Sequence, residues 1–423
     1  MKRLTVQPTQ SRPRVTQGTY IDWFMRRSAI AMAFCYREQL DFERLARALA
    51  VVLSDFPDFC GRLRVRAGAI QIEHGTAGVL LEFAERAEPF GTLALAAKAG
   101  RSKLLCPKIR MLAALRGRAP LFAARLTHTS DGSVLSVTWH HSVGDMHSAT
   151  LLLEAWALAY REQPHARPLE VADREEFHVR HLRDTPNVAS CMRVLRVTEL
   201  LSLLRFALQP TRCVDFEFSQ AAIGQLRAAA SGQVVTTHDL VCAHVFSTLR
   251  QNSELSALSK LAVVVNYRKR CNLPNEMLGN LMSMAVVSPE RDADTSDVAA
   301  ALRTEIQALG AHRVDYHVSR RFVADLPSAL ARQLCMHDIL SPAGSALVVS
   351  SWARFGLYAL QFGDTAPALC LPLLDKPGPL VAVVLESTDA RGLLVSVHLP
   401  IAALPSEVRA VTPSQAQPRV LIQ

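Results

Sequence analysis

The residues best suited to chemistry lie in one run, Val134 to Asp145, where an apolar strand pattern leads into two histidines, a small loop and a carboxylate. Alternation along a strand puts Val137, Trp139 and His141 on one face and Ser136, Thr138 and His140 on the other, so only one histidine can face a given cleft. A rigid strand end that opens into a loop is a common seat for a reactive side chain. An imidazole there, with a reference pKa near 6.5, can accept a proton at neutral pH. Asp145, four residues on, could orient the ring directly or hold the loop through a nearby arginine, and Gly144 lets the backbone turn tightly. The same spacing suits a core histidine. It could also supply metal ligands, since His140, His141, Asp145 and His147 all qualify. However, adjacent histidines on a strand point apart and no distant Cys/His cluster completes a shell, so no metal is expected.

The elements that must position this run can be read around it. Leu121 to His128 and Ser133 to His141 alternate about Ser130-Asp131-Gly132, the pattern of a hairpin. Ser148 is then the expected cap of a helix with Leu151, Leu152, Ala155, Trp156 and Ala159 on one face. Upstream, Asp41 caps a helix that runs to Asp55 with Phe42, Leu45, Leu49 and Val52 inward. A hairpin about Ala67-Gly68 and a strand at Val79 to Phe83 follow, and Phe90 to Arg118 reads as irregular with some helix. From Gln163 to Pro210 the composition shifts to His, Arg, Pro and acids, then to a basic amphipathic piece, Cys191 to Leu208, which marks a crossover between two domains.

Beyond it come a strand at Val214 to Phe218, helices capped by Ser219 and Thr237, and strands at Lys260 to Tyr267, Ala346 to Ser351, Leu380 to Glu386 and Leu393 to Leu399, with a helix from Ser296 to Gly310. Strands and helices alternate in both halves, which argues for α/β or α+β layers of similar size.

A chain of 423 residues with 49% hydrophobic content can fill two or three cores. Nine scattered cysteines without a CxxC pair read as reduced thiols in a cytosol. The basic N-terminus lacks a following apolar region, and the longest uncharged run in the second half, Ile339 to Ala353, is broken by Pro342 and Gly344 and falls short of the ~20 residues of a membrane span, so a soluble cytoplasmic protein is expected. The formal charge of +9 comes from Lys and Arg spread along the chain, not from a stripe with interleaved aromatics, which makes nucleic acid a poor partner. No G-x-S-x-G, G-x-G-x-x-G or P-loop is present.

Several stretches in order resemble the BAHD acyltransferases, of the CoA-dependent acyltransferase superfamily that also holds chloramphenicol acetyltransferase and peptide-synthetase condensation domains. His140-His141-Ser142-Val143-Gly144-Asp145 matches HHxxxD. Phe59-Cys60-Gly61-Arg62-Leu63 is similar to "AGRL", and Asn266-Tyr267-Arg268-Lys269-Arg270 with Met277-Leu278-Gly279-Asn280 to "DxRxR…YFGN". Ser350-Ser351-Trp352 resembles "TSW", and Gln361-Phe362-Gly363-Asp364-Thr365 stands where "DFGWG" would be.

This resemblance implies two similar-sized domains of the chloramphenicol acetyltransferase-like fold, each a mixed sheet flanked by helices, with a channel between them. They would be residues 1–185, joined by 361–380, and 211–423, with 186–210 as the crossover. It implies acyl transfer from a thioester to a hydroxyl or amine of a small metabolite by a monomer, with acyl-CoA as co-substrate, no permanently bound cofactor and no membrane partner. His141 would be the general base, and Asp145 structural, paired with an arginine. Thr237, Arg268, Arg270, Asn280 and Ser351 would fall on the CoA side, although each taken singly also fits a cap, a surface charge or a strand end.

An acyl carrier protein as donor and a non-catalytic ligand-binding relative are the alternatives. The late motif departs from the family pattern at Gln361, Asp364 and Thr365, and Met146 replaces a common glycine. The expectation is therefore that Asp364 or a nearby acid, not Gln361, neutralises Arg268 or Arg270, and that residues 361–367 form a hinge between the domains away from the acyl site.

Overall fold

The computed structural model describes the chain except residues 67–68, 186, 311–313, 341, 374–379, 389–390, 402–418 and 423. The Ala67-Gly68 turn therefore lies outside the described residues. The chain divides into two compact units, one of Met1–His181, Asn272–Leu281 and Arg354–Leu374, the other of Leu182–Cys271, Met282–Ala353 and Asp375–Gln423. Residues 186–210, expected as a crossover, group with the second unit. There Met192–Val194 pairs with Cys335–His337 and is followed by the helix Val197–Ala207.

The first unit is built on a six-stranded sheet in the order Lys2–Val6, Val79–Glu85, Phe122–Thr129, Gly132–His140, Ala29–Tyr36, Leu369–Pro372. Only Val79–Glu85 and Phe122–Thr129 run parallel, so the sheet is mixed. The expected hairpin is present, with Phe122 opposite Trp139 and Thr129 opposite Gly132. Ala29–Tyr36, whose run AIAMAFCY shows no alternation, was not expected as a strand. It lies between two neighbours with Met32 to Tyr36 all buried, and a uniformly apolar strand is what burial on both faces produces.

Asp41 caps the helix Phe42–Val52, its carboxylate accepting from the Arg44 N–H at 2.7 Å. The helix after the hairpin starts three residues before the expected position: it spans Met146–Tyr160, and its cap is Asp145, not Ser148. Trp156 fastens this helix to the earlier one by donating Nε1–H to the Leu45 carbonyl at 3.0 Å.

The second unit carries a seven-stranded sheet in the order Met282–Val287, Lys260–Asn266, Ala346–Ser351, Val381–Glu386, Leu393–Pro400, Thr211–Phe218, Arg419–Ile422. Lys260–Asn266, Ala346–Ser351 and Val381–Glu386 run parallel. Val241, Val245 and Phe246 of the helix Thr237–Arg250 and Val298 and Leu302 of Thr295–Ala308 share one core with Val263, Val349, Ala382 and Val384. Thr236, rather than the expected Thr237, caps the first of these helices, with Asp239 closing the box. None of the nine cysteines forms a disulfide. Among the described residues no helix is long and apolar enough to cross a membrane.

Candidate active site

His141 follows the last residue of its strand and opens a five-residue loop in which every member is held within the first unit. Its own N–H donates to Ser28 O at 2.9 Å, and its carbonyl accepts from Asn280 Nδ2 at 2.7 Å. Ser142 Oγ donates to Asp22 O at 2.6 Å, Val143 O accepts from Arg174 Nη1 at 3.1 Å, and Gly144 O accepts from Trp139 Nε1 at 3.1 Å. Asp145 N donates to Gly279 O at 3.2 Å. The carboxylate of Asp145 accepts on one oxygen from Ser148 N and Ser148 Oγ, each at 2.9 Å, and on the other from Leu281 N at 3.1 Å. It therefore caps the following helix and fastens the 279–281 segment to the loop, a structural role. Gly144 is needed for space, not for an unusual turn, since a Cβ there would meet Ser148 Cβ at 2.6 Å.

The loop rests on a charged network that the sequence alone did not reveal. Arg174 is fully buried between two carboxylates: Nη2 bonds Asp58 and Nη1 lies 3.5 Å from Asp22. Asp22 also accepts from the Thr19 N–H at 2.9 Å and from Asn280 Nδ2 at 2.7 Å, while Asp58 accepts from His74 Nε2 at 2.8 Å. Burial alone would raise the Asp58 carboxyl, but Arg174 first and then His74 outweigh it and hold it at about 2. Gly279, at φ +123°, leaves room for this arginine, because a Cβ would lie 3.3 Å from its guanidinium.

Both histidines are kept neutral. His140 is fully buried, and burial first, then the neighbouring ring of His141, lowers it to about 4. His141 is partly buried, and burial lowers it against the weaker opposing pulls of its own backbone, Asp145, Asn280 and Asp22. Its Nδ1 is buried, which leaves Nε2 as the nitrogen open to a substrate. A fixed, neutral imidazole of this kind can take a proton from a hydroxyl or amine.

The residues expected on the CoA side separate into two groups. Asn280 is buried and turned inward onto Asp22 and His141, so it supports the loop and is not placed to contact CoA. Arg268 is fully buried, its backbone N–H and Nη1 both directed at Asn266 Oδ1. Thr237, Arg270 and Ser351 are partly exposed on the second unit. Arg270 donates to Leu309 O at 3.1 Å, and Thr237 Oγ1 accepts from Arg227.

The late loop corrects the expectation drawn for it. Gln361 Oε1 accepts from Arg161 Nη1 at 3.3 Å, and its Nε2 donates to Asp364 O at 2.6 Å. Asp364 is exposed, with only its backbone engaged, so it is not the acid that replaces the missing charge. Glu38 anchors the loop, accepting from the Asp364 N–H at 3.1 Å and from Thr365 N and Oγ1 at 2.9 and 2.7 Å. Burial would raise Glu38, but these bonds together outweigh it and lower its pKa. Phe362 provides the apolar anchor, buried edge-on against Tyr36, Trp156 and Tyr160.

The Transferase family model matches residues 8–407. Vinorine synthase from Rauvolfia serpentina is 27% identical over 64% of this chain and 59% of its own length; tryptamine benzoyltransferase 2 from Oryza sativa subsp. japonica is likewise covered over 59% of its length. The chain thus spans less than two thirds of these two curated relatives. Stemmadenine O-acetyltransferase from Catharanthus roseus is 22% identical over 86% of this chain and 85% of its own. The crystal structure of F. graminearum TRI101 with coenzyme A and deoxynivalenol overlaps 96% of this chain and 99% of its own at a TM-score of 0.75 and 15% identity, a likeness of fold. The chain belongs to the Transferase family, in line with its resemblance to the BAHD acyltransferases.

Proposed function

We propose that this protein transfers an acyl group from acyl-CoA to a hydroxyl or amine of a small, specialised metabolite, with His141 as general base. The observation that carries this is the loop from His141 to Asp145, held at each residue while Nε2 stays open. As the acceptor attacks the thioester carbonyl, Nε2 takes its proton. The new C–O or C–N bond forms, the C–S bond breaks, and the departing thiolate recovers the proton, so the imidazole returns neutral and no cofactor stays bound. A base so placed is worth roughly 10²-fold to 10⁴-fold. Asp145 orients the loop and does not touch the reacting atoms. Thr237, Arg270 and Ser351 are assigned to the CoA side. The two units are taken as the paired domains of a chloramphenicol acetyltransferase-like fold, which the whole-chain overlap with TRI101 supports.

A second histidine–carboxylate pair, His74 and Asp58, has the composition of a general-base dyad and borders a small cavity of about 70 Å³. Its remaining ring nitrogen, Nδ1, is buried, and Asp58 is already bonded to Arg174, so the pair is better suited to holding that arginine. Incubating the protein with a panel of acyl-CoAs and candidate acceptors, while following free thiol and acylated product, tests the proposal. Thiol release coupled to acylation with at least one donor is expected. Tight ligand binding without turnover on any CoA or carrier-protein thioester would reject it in favour of a binding protein.

A further inference from the structure

Residues 89–130 contain eight Lys and Arg and no Asp or Glu, so one segment holds nearly all of the chain's formal +9. The basic residues are spread along the chain, but this segment has no acid to offset its share. Arg125 is neutralised by Glu82 at 2.6 Å. Arg110, Arg116 and Arg118 are different: all three are exposed, and none is paired with a carboxylate among the described residues. With Met111, Leu112 and Ala113 they line an open pocket of about 560 Å³. The helix Met111–Ala114 ends in a tight turn in which Arg116 N and Arg118 N both donate to Ala113 O, at 3.2 and 2.8 Å, which sets these two arginines on either side of Gly117. Leu112 is 73% exposed and adds apolar surface beside the charges.

The arginine loop is fastened at both ends to the strand that delivers His141. Pro107 O accepts from Thr138 Oγ1 at 2.8 Å, and Leu121 O accepts from the His140 N–H at 2.8 Å. Arg118 is three residues from Leu121, a chain reach of at most about 11 Å. Three guanidinium groups gathered without an acid repel one another, and an anion relieves that repulsion. The planar fork of arginine matches a carboxylate or phosphate through paired bonds, and the apolar residues between the forks suit a hydrophobic body.

We propose that this pocket binds the anionic group of the acyl acceptor, a carboxylate or phosphate ester carried on an apolar body, and so makes charge a determinant of acceptor choice. The inference rests on the acyl-transfer function proposed above. The acceptor is favoured over the donor because the residues assigned to CoA, Thr237, Arg270 and Ser351, belong to the second unit, whereas the arginine loop belongs to the first and ends on the His141 strand.

Titration calorimetry of the full chain with phenyl phosphate, 3-phenylpropionate, neutral 3-phenylpropanol and CoA tests this. At least one of the two anions should bind ten times more tightly than the alcohol, and the stronger of them identifies phosphate or carboxylate as the preferred group. The Arg116→Ala/Arg118→Ala variant, whose melting temperature should match the wild type because both side chains are exposed, should lose that tenfold, about 1.4 kcal/mol. The corresponding lysine pair should recover part of it, CoA affinity should stay within twofold, and anion binding should weaken as salt rises. Anions that bind no better than the alcohol, or equally well to the double alanine variant, would overturn the proposal. A parallel loss of CoA affinity would also overturn it by assigning the pocket to the donor. Because the readout is binding, His141→Ala should leave it unchanged, so failure of the pocket is distinct from failure of the acyl-transfer function.

Discussion

Removing Arg174 tests the support of the His141 loop most severely. Arg174→Met leaves the Asp58 and Asp22 carboxylates facing each other in a buried space and withdraws the donor from Val143 O. Breaking a buried ion pair on one side costs about 3–5 kcal/mol. The displacement of Asp58 from an ordinary carboxyl near 3.8 to about 2, to which Arg174 contributes first and His74 next, corresponds at about 1.4 kcal/mol per tenfold to about 2.5 kcal/mol for the network as a whole. Urea unfolding at neutral pH should therefore show Arg174→Met less stable by about 2–5 kcal/mol, and the Arg174→Met/Asp58→Asn double variant by less than the two single losses combined. The sign of the pH dependence follows from the lowered folded pKa. In the wild type this stability is fully present above about 3.8 and is lost as pH falls through about 2. In Arg174→Met, where burial then dominates, the loss should begin at higher pH. A destabilisation under 1 kcal/mol, or full additivity in the double variant, would refute the network as described.

Asp145→Ala removes a helix cap and an acceptor for Leu281 N, for which about 2–4 kcal/mol is expected; a variant of wild-type melting temperature that had lost only turnover would make Asp145 a direct catalytic partner. Because burial lowers His141 and its neutral form is the active one, kcat/KM should stay flat as pH falls to 6.5 and decline only below it, while Asn280→Asp, which sets a negative charge against the His141 carbonyl, should move that decline upward; a wild-type midpoint above 6.5 would contradict the assigned burial effect. Glu38→Gln should cost about 1 kcal/mol in unfolding experiments, since the bonds it weakens are largely solvent-exposed, and Asp364→Asn should cost nothing measurable. The reverse order would restore Asp364 as the anchor of the late loop.

The hairpin, the loop it delivers and the helix behind it were legible because alternation, the Ser130-Asp131-Gly132 turn and helical periodicity are local signals. The exact start of that helix was not, because Asp145 and Ser148 both have capping side chains and only the fold shows that Asp145 also accepts from Leu281. Ala29–Tyr36 escaped notice since a strand buried on both faces shows no period of two. Asn280 was singled out by its motif but assigned to the wrong surroundings: sequence similarity marks a position and does not say which way an amide points. Arg174, Asp58, Asp22 and His74 come together from positions up to 152 residues apart, Asp22 to Arg174, and no spacing could associate them. The one local clue was Thr19-x-x-Asp22, a capping box that places Asp22 at the start of the helix Tyr20–Phe24. Gln361 was read through the charge it lacks, while the structure uses the loop through Phe362 and through Glu38, far upstream in sequence.

The most direct test of the central claim is the rate of thiol release from acyl-CoA, in the presence of an accepted acceptor, by His141→Ala compared with wild type and His74→Ala, each normalised to folded protein. A loss of roughly 10²-fold to 10⁴-fold at His141, with unfolding behaviour unchanged, is the expected result, together with a smaller loss at His74 that tracks its effect on stability. Retention of activity within threefold by His141→Ala, with His74→Ala folded and inactive, would contradict the assignment of His141 as the base.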